Sequence, residues 1–514
     1  MNTIETHILV IGSGMAGAIA ALTAANEGRK VILITNNKEL LSGNTRWAQG
    51  GIAYYGEHDS QTKFKEDICS AGGNHNHKPS VDQLVKQGPK LVEDLLINKF
   101  KIPFATDTNN QLLFTSEAAH TTKRIIYHKD STGLIIHQTL IQELIKHPNI
   151  SIYTDHTAID LLTYSHHSIH SIDIYNQPAC FGAVILNNQT QKVITIVADY
   201  TVLATGGLGQ VYLHTTNPSE SKGDGVAMAW RAGARCVNLH YIQFHPTALY
   251  HDSGRFLISE TLRGEGAKLY DVNGHSFMQA LHPQHNLAPR DIVARGIHKA
   301  LLKTQHPCVY LDISHKKASW IKERFPNIYK HCKSVGIDIT QKAIPVVPAA
   351  HYSCGGIAVN LNGESSLNRL YAIGEASCTG VHGSNRLAST SLLECLVWGY
   401  LAGKNTSKKT PTHTTPTIKP WIQEKEIIDT AIIAQDWLTI KTTMWNYVGL
   451  IRTRERLQRA QQILKNLQHD IETFYQKTKL TPQIISLRNG IQTAVAINSA
   501  ALEDRVSRGC HYLE

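Results

Sequence analysis

The chain has 514 residues, of which 42% are hydrophobic and 18% are charged, and its formal net charge is +10. This length exceeds what one hydrophobic core usually organises, so it predicts two or three domains. The positive charge forms no block and no stripe interleaved with aromatic residues. It therefore favours a basic solvated surface over nucleic-acid binding, and it also suits an anionic substrate.

The nine cysteines are scattered along the chain and include no C-x-x-C pair. This spacing favours reduced thiols in the cytoplasm and argues against a metal or iron–sulfur site. The N-terminus lacks the charged and then apolar order of a signal peptide, and no segment has the apolar length of a membrane span. We therefore expect a soluble, cytoplasmic protein that binds no metal, nucleic acid or membrane.

Residues 6–35 predict a βαβ unit. The segment THILVIGSGMAGAIAALTAANEGRKVILIT contains an apolar strand, a glycine turn, an alanine-rich helix that ends near Gly28, and a second apolar strand. Gly12, Gly14 and Gly17 have the G-x-G-x-x-G spacing that places a diphosphate at the N-terminus of a helix. In this context the spacing predicts dinucleotide binding rather than a chance glycine-rich turn.

The region after the second strand departs from a simple NAD site. The acidic residue that usually binds a ribose there is missing, and the sequence has Thr35, Asn36 and Asn37 instead. The next loop, LSGNTRWAQGG at 41–51, fits neither a helical nor a strand period. Its closing glycines, Gly50 and Gly51, allow close approach of a ligand.

Two later segments predict strands that return to the same sheet. Residues 199–209 (DYTVLATGGLG) and 368–377 (NRLYAIGEAS) are apolar strands that lead into glycines. Strands of one parallel sheet that are so far apart imply an inserted domain, which we place at 237–352. Within the insertion, FHPTAL and RFLISETL predict short strands, and a helix is expected after RDIVAR.

The last quarter of the chain changes composition. Residues 403–420 are rich in Thr, Lys and Pro, which predicts an exposed linker. Residues 451–476 have apolar positions at three- and four-residue steps, which predicts an amphipathic helix in a terminal helical domain. The expected boundaries are 1–236 and 353–405 for the two parts of the cofactor domain, 237–352 for the insertion, 406–420 for the linker and 421–514 for the helical domain.

Polar loops between the predicted elements carry candidate catalytic side chains. PAAHYSCGGIAVN places His351 before a glycine pair, and HGSNRLASTSLLECLVWG supplies Arg386 ahead of a helix start rich in Ser and Thr. Such loops bind cofactors and anions. Taken singly, His351 and His245, which lies in QFHPT, could also be structural histidines with no part in catalysis. Arg290 next to Asp291 also fits a helix start with a surface ion pair.

Together these strings resemble the flavoprotein family of fumarate reductase, succinate dehydrogenase and L-aspartate oxidase. The resemblance extends from Thr6 to SRGCHY and is carried, in the family's order, by GSGMAG, NTRWAQGG, ATGGLGQVY, GDGVAMAWRAGA, QFHPTAL, SETLRGEGA, RDIVARGI, PAAHYSCGGI, LYAIGEAS, HGSNRLASTSLLECLVWG and MWNYVGLIRT. It implies an α/β fold, α+β overall, with a Rossmann-like FAD-binding domain, an inserted α+β capping domain and a C-terminal helical domain.

The loop at 41–51 separates the branches of this family. Membrane-complex dehydrogenases and fumarate reductases attach the flavin covalently to a histidine, in a stretch resembling S-H-T followed by A-Q-G-G. Asn44 stands at that position here and cannot form the bond, so the resemblance implies non-covalent FAD, as in aspartate oxidase. The PAAHYSCGG and SLLECLVWG strings also resemble that branch more closely.

The resemblance also assigns the FAD contacts. The diphosphate is expected on the glycine turn and the flavin side within the 44–51 loop, whose lack of periodicity suits backbone wrapped around a ligand. The predicted cofactor residues are Gly12, Ser13, Gly14, Met15, Ala16, Gly17, Asn44, Thr45, Arg46, Trp47, Ala48, Gln49, Gly50, Gly51, Asp224, Glu375, Ser391 and Leu392.

Two carboxylate clamps are implied for a dicarboxylate substrate. His245 with the segment Ser259–Arg263 is expected to hold one carboxylate, and His351 with Arg386 the other. An arginine suits this task because its planar fork pairs both carboxylate oxygens. Ser259 stands where the family usually has threonine, and it keeps the hydroxyl.

Two further roles follow from the resemblance. Glu117, in SEAAHTTKR, matches an acidic residue that faces the substrate amino group in aspartate oxidase. Arg290 matches the family's proton-transfer residue, with help from a carboxylate such as Glu260. A guanidinium group is normally always charged, so a purely electrostatic role for Arg290 stays open.

The implied reaction is FAD-dependent oxidation of L-aspartate to iminosuccinate, with O₂ (giving hydrogen peroxide) or fumarate as the acceptor. The resemblance places it at the first step of de novo NAD biosynthesis, with quinolinate synthase as a partner that takes the imine. One rival is a soluble fumarate reductase or a succinate dehydrogenase-type subunit with an iron–sulfur partner, against which Asn44 and Glu117 argue. The other is a non-enzymatic flavin-binding protein, against which the accumulation of candidate catalytic side chains argues.

Overall fold

The computed structural model describes residues 3–117, 119–252, 254–409, 417–419 and 429–514. The strands in these ranges are β1 (Thr3–Ile11), β2 (Val31–Ile34), β3 (Ile52–Ala53), β4 (Phe114–Thr115), β5 (Ile125–Ile126), β6 (Ile150–Tyr153), β7 (His156–Thr163), β8 (Cys180–Asn187), β9 (Val193–Leu203), β10 (Cys236–Val237), β11 (Ile242–Leu249), β12 (Lys268–Tyr270), β13 (Val309–Asp312), β14 (Ile344–Ser353), β15 (Gly356–Ala358), β16 (Leu370–Ala372) and β17 (Ser377–Cys378). The α-helices are α1 (Met15–Asn26), α2 (Gln61–Ala71), α3 (Lys78–Leu91), α4 (Thr132–Lys146), α5 (Tyr164–His167), α6 (Asp224–Arg231), α7 (Thr261–Gly264), α8 (Arg290–Thr304), α9 (Ala318–Arg324), α10 (Pro326–Ser334), α11 (Ser391–Lys408), α12 (Thr430–Tyr447), α13 (Arg454–Lys477) and α14 (Pro482–Glu503).

The largest sheet joins the two ends of the predicted cofactor domain. Its strands follow the order β6-β2-β1-β9, all parallel, and β16 pairs in parallel with the end of β9. β8 and β7 continue the sheet in antiparallel pairing beside the first part of β9. The prediction that residues 199–209 and 368–377 return to the first sheet is confirmed. The carboxyl ends of β1, β2, β9 and β16 therefore meet at one edge, where α/β sheets bind ligands.

The glycine turn between β1 and α1 requires residues without side chains. Gly12 has φ +116°, and a Cβ atom there would lie 2.2 Å from the carbonyl oxygen of Ala204 in the loop after β9. A Cβ on Gly17 would lie 2.0 Å from the carbonyl oxygen of Gly12. The turn is thus packed tightly against the neighbouring strand end, and the predicted βαβ unit is confirmed.

The inserted segment forms its own antiparallel sheet, in the order β11-β14-β13-β12. A separate hydrophobic cluster drawn from residues 249–346 packs on it, which supports an inserted domain, although its boundaries stay predictions. The strand expected at RFLISETL is wrong. Leu257 makes only an isolated bridge, and the Ser259 hydroxyl accepts a hydrogen bond from the Thr261 N–H, which favours the turn into α7.

The C-terminal helices α12, α13 and α14 share a hydrophobic core with the main sheet, and α13 confirms the amphipathic helix predicted at 451–476. The predicted linker is wrong for residues 403–408, because α11 continues to Lys408 and buries Thr406 and Ser407. Arg29 explains the extension, since its guanidinium binds the Ser407 carbonyl at 2.6 Å and 2.9 Å. The linker residues 410–416 and 420 lie outside the described residues.

Two global features accompany this fold. All nine cysteines are free, as their scattered spacing predicts. In the part of the chain that the structure describes, no helix combines the length and apolarity needed to cross a bilayer.

Candidate functional site

A long cavity runs from the carboxyl edge of the main sheet to the four-stranded sheet and encloses about 1710 Å³ of non-atom space, its open mouth included. The predicted cofactor residues on its wall are Gly12, Ser13, Gly14, Met15, Ala16, Asn44, Thr45, Trp47, Ala48, Gln49, Gly50, Gly51, Asp224, Glu375, Ser391 and Leu392. The predicted substrate residues on the same wall are Glu117, His245, Ser259, Glu260, Arg290, His351 and Arg386.

Three predicted site residues lie behind the cavity wall. Gly17 packs against the glycine turn. Arg46 donates to the Leu41 carbonyl at 3.3 Å and stacks on the indole of Trp47. Arg263 is fully buried behind Glu260, with 3.4 Å between the guanidinium and the carboxylate.

The 44–51 loop is bound to both neighbouring turns. It begins as a 3₁₀ turn, and the Thr45 hydroxyl accepts a hydrogen bond from the Met15 N–H at 3.1 Å. The Asn44 amide nitrogen donates to Glu375 Oε2 at 2.8 Å, and its oxygen accepts from the Ser221 hydroxyl at 3.1 Å. Burial raises the pKa of Glu375 to about 7, against the hydrogen bonds from Ser353 and Asn44.

The groups along the half of the cavity at the carboxyl edge of the main sheet fit FAD. The glycine turn at the start of α1 offers backbone and the positive end of a helix to a diphosphate. Thr35, Asn36 and Asn37 add uncharged polar groups that can bind the hydroxyls and the base of a nucleotide. A Cβ atom added to Gly206 would meet only open space, so the backbone there is open to a ligand. A cofactor with a diphosphate and many hydroxyls suits this set.

The other half of the cavity is built around Arg290, the first residue of α8. Its Nε donates to the Glu260 carboxylate, and its Nη1 donates to Gln243 Oε1 at 3.1 Å. Burial raises the pKa of Glu260, but Arg290 and Arg263 outweigh burial and hold it below its usual value. The alternative of a surface ion pair with Asp291 is wrong, because Arg290 is only 8% exposed.

His245 and His351 face each other with ring centroids 5.1 Å apart. The pKa of each lies well below its ordinary value, first because of burial and then because of nearby charges, Arg290 above all. His245 Nδ1 accepts from the Thr247 N–H at 3.2 Å, so the proton of the neutral ring is on Nε2. A neutral imidazole of this kind donates one N–H to an anion.

Arg386 provides the second cationic group of this wall. It lies over the ring of Tyr352, 4.3 Å from the centroid, and donates to the Ser391 hydroxyl at 3.3 Å. Burial, and then the charge of Arg290, lowers its pKa. Among the described residues its buried Nε has no hydrogen-bond partner. An orphaned, buried N–H of a cation calls for an anionic ligand.

Glu117 places a buried carboxyl on the same wall. Its oxygens accept from the Thr261 hydroxyl at 3.2 Å and the Ser389 hydroxyl at 2.7 Å. Burial, and then the charge of Glu260, raises its pKa. The site therefore combines donors for anions with a buried acceptor for a cation.

Several side chains of the site were missed by the sequence interpretation. Gln243 could have been found from the sequence, because it lies two residues before His245 on β11 and therefore shares a face of the strand with it. The sequence gives no sign of Thr216, whose hydroxyl bonds His351 Nδ1 at 2.8 Å, or of Ser389. Both lie in loops that reach the site only through the tertiary fold.

Comparison with known proteins gives two family matches. The family described as "FAD binding domain" matches residues 7–392, and "Fumarate reductase flavoprotein C-term" matches residues 438–514. L-aspartate oxidase 1 of Ralstonia nicotianae is 42% identical over 98% of this chain and 94% of its own length. L-aspartate oxidase of Pseudomonas aeruginosa is 42% identical over 99% of this chain and 95% of its own length.

Solved structures agree with this relationship. A quinol fumarate reductase structure from E. coli superposes with a TM-score of 0.88 at 27% identity, covering 100% of this chain and 92% of that chain. The Mycobacterium smegmatis Sdh1 structure with UQ1 gives a TM-score of 0.83 at 27% identity, with 100% and 89% covered. The predicted fold class is confirmed by these matches.

Proposed function

This chain belongs to the L-aspartate oxidase family of FAD-dependent oxidoreductases, and we propose that it oxidises L-aspartate to iminosuccinate. FAD as the cofactor and a small dicarboxylate as the substrate follow from the family. The choice of L-aspartate among dicarboxylates is inferred from the side chains around Arg290 and Arg386.

The observation that carries the proposal is the position of Glu117. Its buried carboxyl lines the same cavity as Arg290 and Arg386, so the cavity offers an acceptor for an ammonium group beside donors for carboxylates. Succinate and fumarate have no amine for Glu117 to bind, whereas L-aspartate matches both kinds of group. The buried carboxyl therefore favours an amino dicarboxylate.

We assign one substrate carboxylate to His245 with Ser259–Arg263, and the other to His351 with Arg386. Both imidazoles are held neutral by burial, so each binds a carboxylate by donating an N–H. Arg386 supplies a positive charge and an unpartnered Nε. Fixing both ends of the substrate orients its Cα–H bond, which lowers the entropic part of the barrier.

Glu117 is the proposed partner of the substrate ammonium group. A carboxylate whose pKa is raised by burial is a stronger base than an exposed one, and the ammonium group must lose a proton on the way to the imine. The chemistry supplied by bound FAD is acceptance of the hydride from Cα and its delivery to O₂, giving hydrogen peroxide, or to fumarate.

We propose that Arg290, with Glu260, transfers a proton when fumarate is the acceptor. Arg290→Gln separates a role in the reaction step from a role in substrate binding alone. Loss of kcat for fumarate reduction with little change in KM supports a role in the reaction step, as proton transfer requires, whereas a rise in KM alone supports electrostatic binding of the substrate.

The product suggests a place for the reaction. Iminosuccinate is an imine that hydrolyses in water, so an enzyme in the same compartment must consume it quickly. We propose that this oxidation is the first step of de novo NAD biosynthesis, in the cytoplasm, and that quinolinate synthase consumes the imine. A mixed assay with both enzymes and the three-carbon co-substrate of quinolinate synthase should yield quinolinate, and separating the enzymes by a membrane should abolish the yield.

Anaerobic titration of the purified holoprotein tests the substrate. We expect L-aspartate to bleach the flavin absorbance. D-aspartate and succinate should leave the absorbance unchanged. Rapid bleaching by succinate without bleaching by L-aspartate would overturn the assignment. Arg386→Leu should suppress bleaching, and an unchanged rate in this variant would indicate a flavin-binding protein without this catalytic site.

A fumarate reductase or succinate dehydrogenase-type flavoprotein is the second candidate, favoured by the likeness to the quinol fumarate reductase structure. Asn44, in place of a flavin-bonding histidine, and Glu117 argue against it. Steady turnover of the isolated chain with L-aspartate and O₂ excludes a subunit that depends on an iron–sulfur partner.

A further inference from the structure

The last long helix of the chain reaches the FAD cavity through one side chain. Asn489, in α14, is fully buried, and its Nδ2 donates to Asp224 Oδ1 at 2.8 Å. Asp224 is the first residue of α6 and lines the cavity. One turn further along α14, the Thr493 hydroxyl donates to the carbonyl of Gly223 at 3.3 Å. The cavity wall at Asp224 is therefore supported from the C-terminal helices.

The amide of Asn489 has only one favourable orientation. Arg231 Nη1 donates to Asn489 Oδ1 at 2.8 Å. A guanidinium group has donors and no acceptor, so the amide oxygen must face Arg231 and the amide nitrogen must face Asp224. The reversed amide would set N–H against N–H and oxygen against carboxylate.

Arg231 is itself fixed by a closed ring of charged groups and one amide. Its Nε donates to Asp160 in β7 at 2.7 Å, and its Nη1 also donates to Gln492 at 2.5 Å. Arg488 binds Asp160 at 3.2 Å and Glu472 at 3.0 Å, and Gln492 closes the ring by donating to Glu472. Two cations and two carboxylates thus join β7, α6, α13 and α14 into one rigid support.

We propose that Asn489 is a positioning residue for FAD, which orients the Asp224 carboxylate to accept a hydrogen bond from a hydroxyl group of the cofactor. A carboxylate has about four acceptor sites and Asn489 uses one of them. A hydroxyl is the chemical class expected here, because the anionic diphosphate would be repelled by a carboxylate. The inference concerns cofactor binding and holds whichever substrate is oxidised.

The electrostatics of Asp224 agree with this role. Burial raises the pKa of its carboxyl, and the hydrogen bond from Asn489 is the largest effect that opposes burial, ahead of the charges of Lys222 and Arg231. Removing the amide should therefore destabilise the charged form of Asp224, which accepts the hydrogen bond from the hydroxyl group.

The first test compares two buried asparagines of the same helix. FAD is removed from the protein, and the Kd for FAD is measured by quenching of flavin fluorescence. Asn489→Leu should raise the Kd about tenfold. The matched control is Asn498→Leu, because Asn498 is equally buried but bonds the Leu457 carbonyl and Gln461. The control should lower the unfolding midpoint and leave the Kd unchanged. An equal rise in Kd for both variants overturns the proposal.

The second test asks whether Asn489 acts through Asp224. Asp224→Asn should weaken FAD binding by itself, and adding Asn489→Leu should then change the Kd less than about twofold, because coupled residues are not additive. If the two substitutions raise the Kd independently, so that their factors multiply in the double variant, the proposal is overturned. Asn489→Asp covers the case in which the leucine variant does not fold. It keeps the acceptor for Arg231 and sets a carboxylate against Asp224, so the Kd should rise; an unchanged Kd overturns the proposal.

Discussion

Asn44 and Glu375 are joined by a hydrogen bond of 2.8 Å, from the amide nitrogen of one to Oε2 of the other. They lie in the turns after β2 and β16, and both line the FAD cavity. Because the Asn44 oxygen also accepts from Ser221, the amide is held from both sides. The Asn44 side chain, which the family resemblance places at the position of a flavin-bonding histidine, therefore bridges two walls of the cavity.

The first prediction concerns the attachment of FAD. Acid precipitation of the holoprotein should leave the flavin in the supernatant, because the amide nitrogen of Asn44 is not a nucleophile and forms no bond to the ring. The flavin absorbance of pellet and supernatant measures the partition. Asn44→Ala should give the same partition, and a yellow pellet from the wild-type protein would contradict non-covalent binding.

The second prediction uses the pKa of Glu375, which is about 7 in the folded protein against an ordinary 4.5. A raised carboxyl pKa means that the folded state binds the proton more tightly than the unfolded state. The stabilisation is fully present below pH 4.5 and is lost as the pH rises through 7. FAD-free protein should therefore lose about 2 kcal/mol of unfolding free energy from this group between pH 5 and pH 8.

Glu375→Gln isolates this effect, because the amide keeps the size of the side chain and cannot titrate. Urea unfolding of both proteins across this pH range gives the difference. The wild type should be the more stable protein, relative to the variant, at the acid end. A stability difference that does not change with pH would contradict the raised pKa.

The sequence predicted the glycine turn and the returning strands, because these depend on local patterns, and the family resemblance predicted about half of the residues on the cavity wall. Gly12 and Gly17 obey a spacing set by one turn, and β9 and β16 are largely apolar segments. The sequence failed at 403–408, where the composition indicates a linker but Arg29, from the other end of the chain, caps the helix. A contact of such long range leaves no local signal.

The site shows the same difference between residues that the sequence marks and residues that only the fold brings in. His245, Arg290 and Arg386 stand in strings that mark the family, so they were found. The supports of those residues are distributed over distant loops, as Thr216 below His351 and Ser389 beside Glu117 illustrate. Such partners are selected by three-dimensional packing, and only the folded structure identifies them.

The third prediction concerns the choice between amino and plain dicarboxylates. Glu117→Gln should lower kcat/KM for L-aspartate about 10- to 100-fold, because it removes a charge-assisted contact with the ammonium group. Fumarate reduction, measured with an artificial electron donor, should change much less. In the wild type the rate with L-aspartate should rise with pH as Glu117 ionises from its raised pKa, and the variant should lack this rise.

Glu220→Gln is the control for Glu117, since Glu220 is another carboxyl on the cavity wall and lies outside the proposed substrate residues. The ratio of aspartate oxidation to fumarate reduction should stay as in the wild type. Equal loss of both activities in Glu117→Gln would show that Glu117 supports the fold of the site and does not select the amine.

The fourth prediction concerns stability beneath the loop that carries Glu117. Arg124 is fully buried and pairs with Asp67 at 2.5 Å and with Asp59 at 2.8 Å. Asp67→Asn should lower the free energy of unfolding by about 3 kcal/mol, because it leaves a buried guanidinium partly uncompensated. Asp82→Asn removes an exposed pair with Lys65 and should cost less than about 1 kcal/mol. Urea unfolding measures both variants, and equal losses would show that burial does not govern the strength of these pairs.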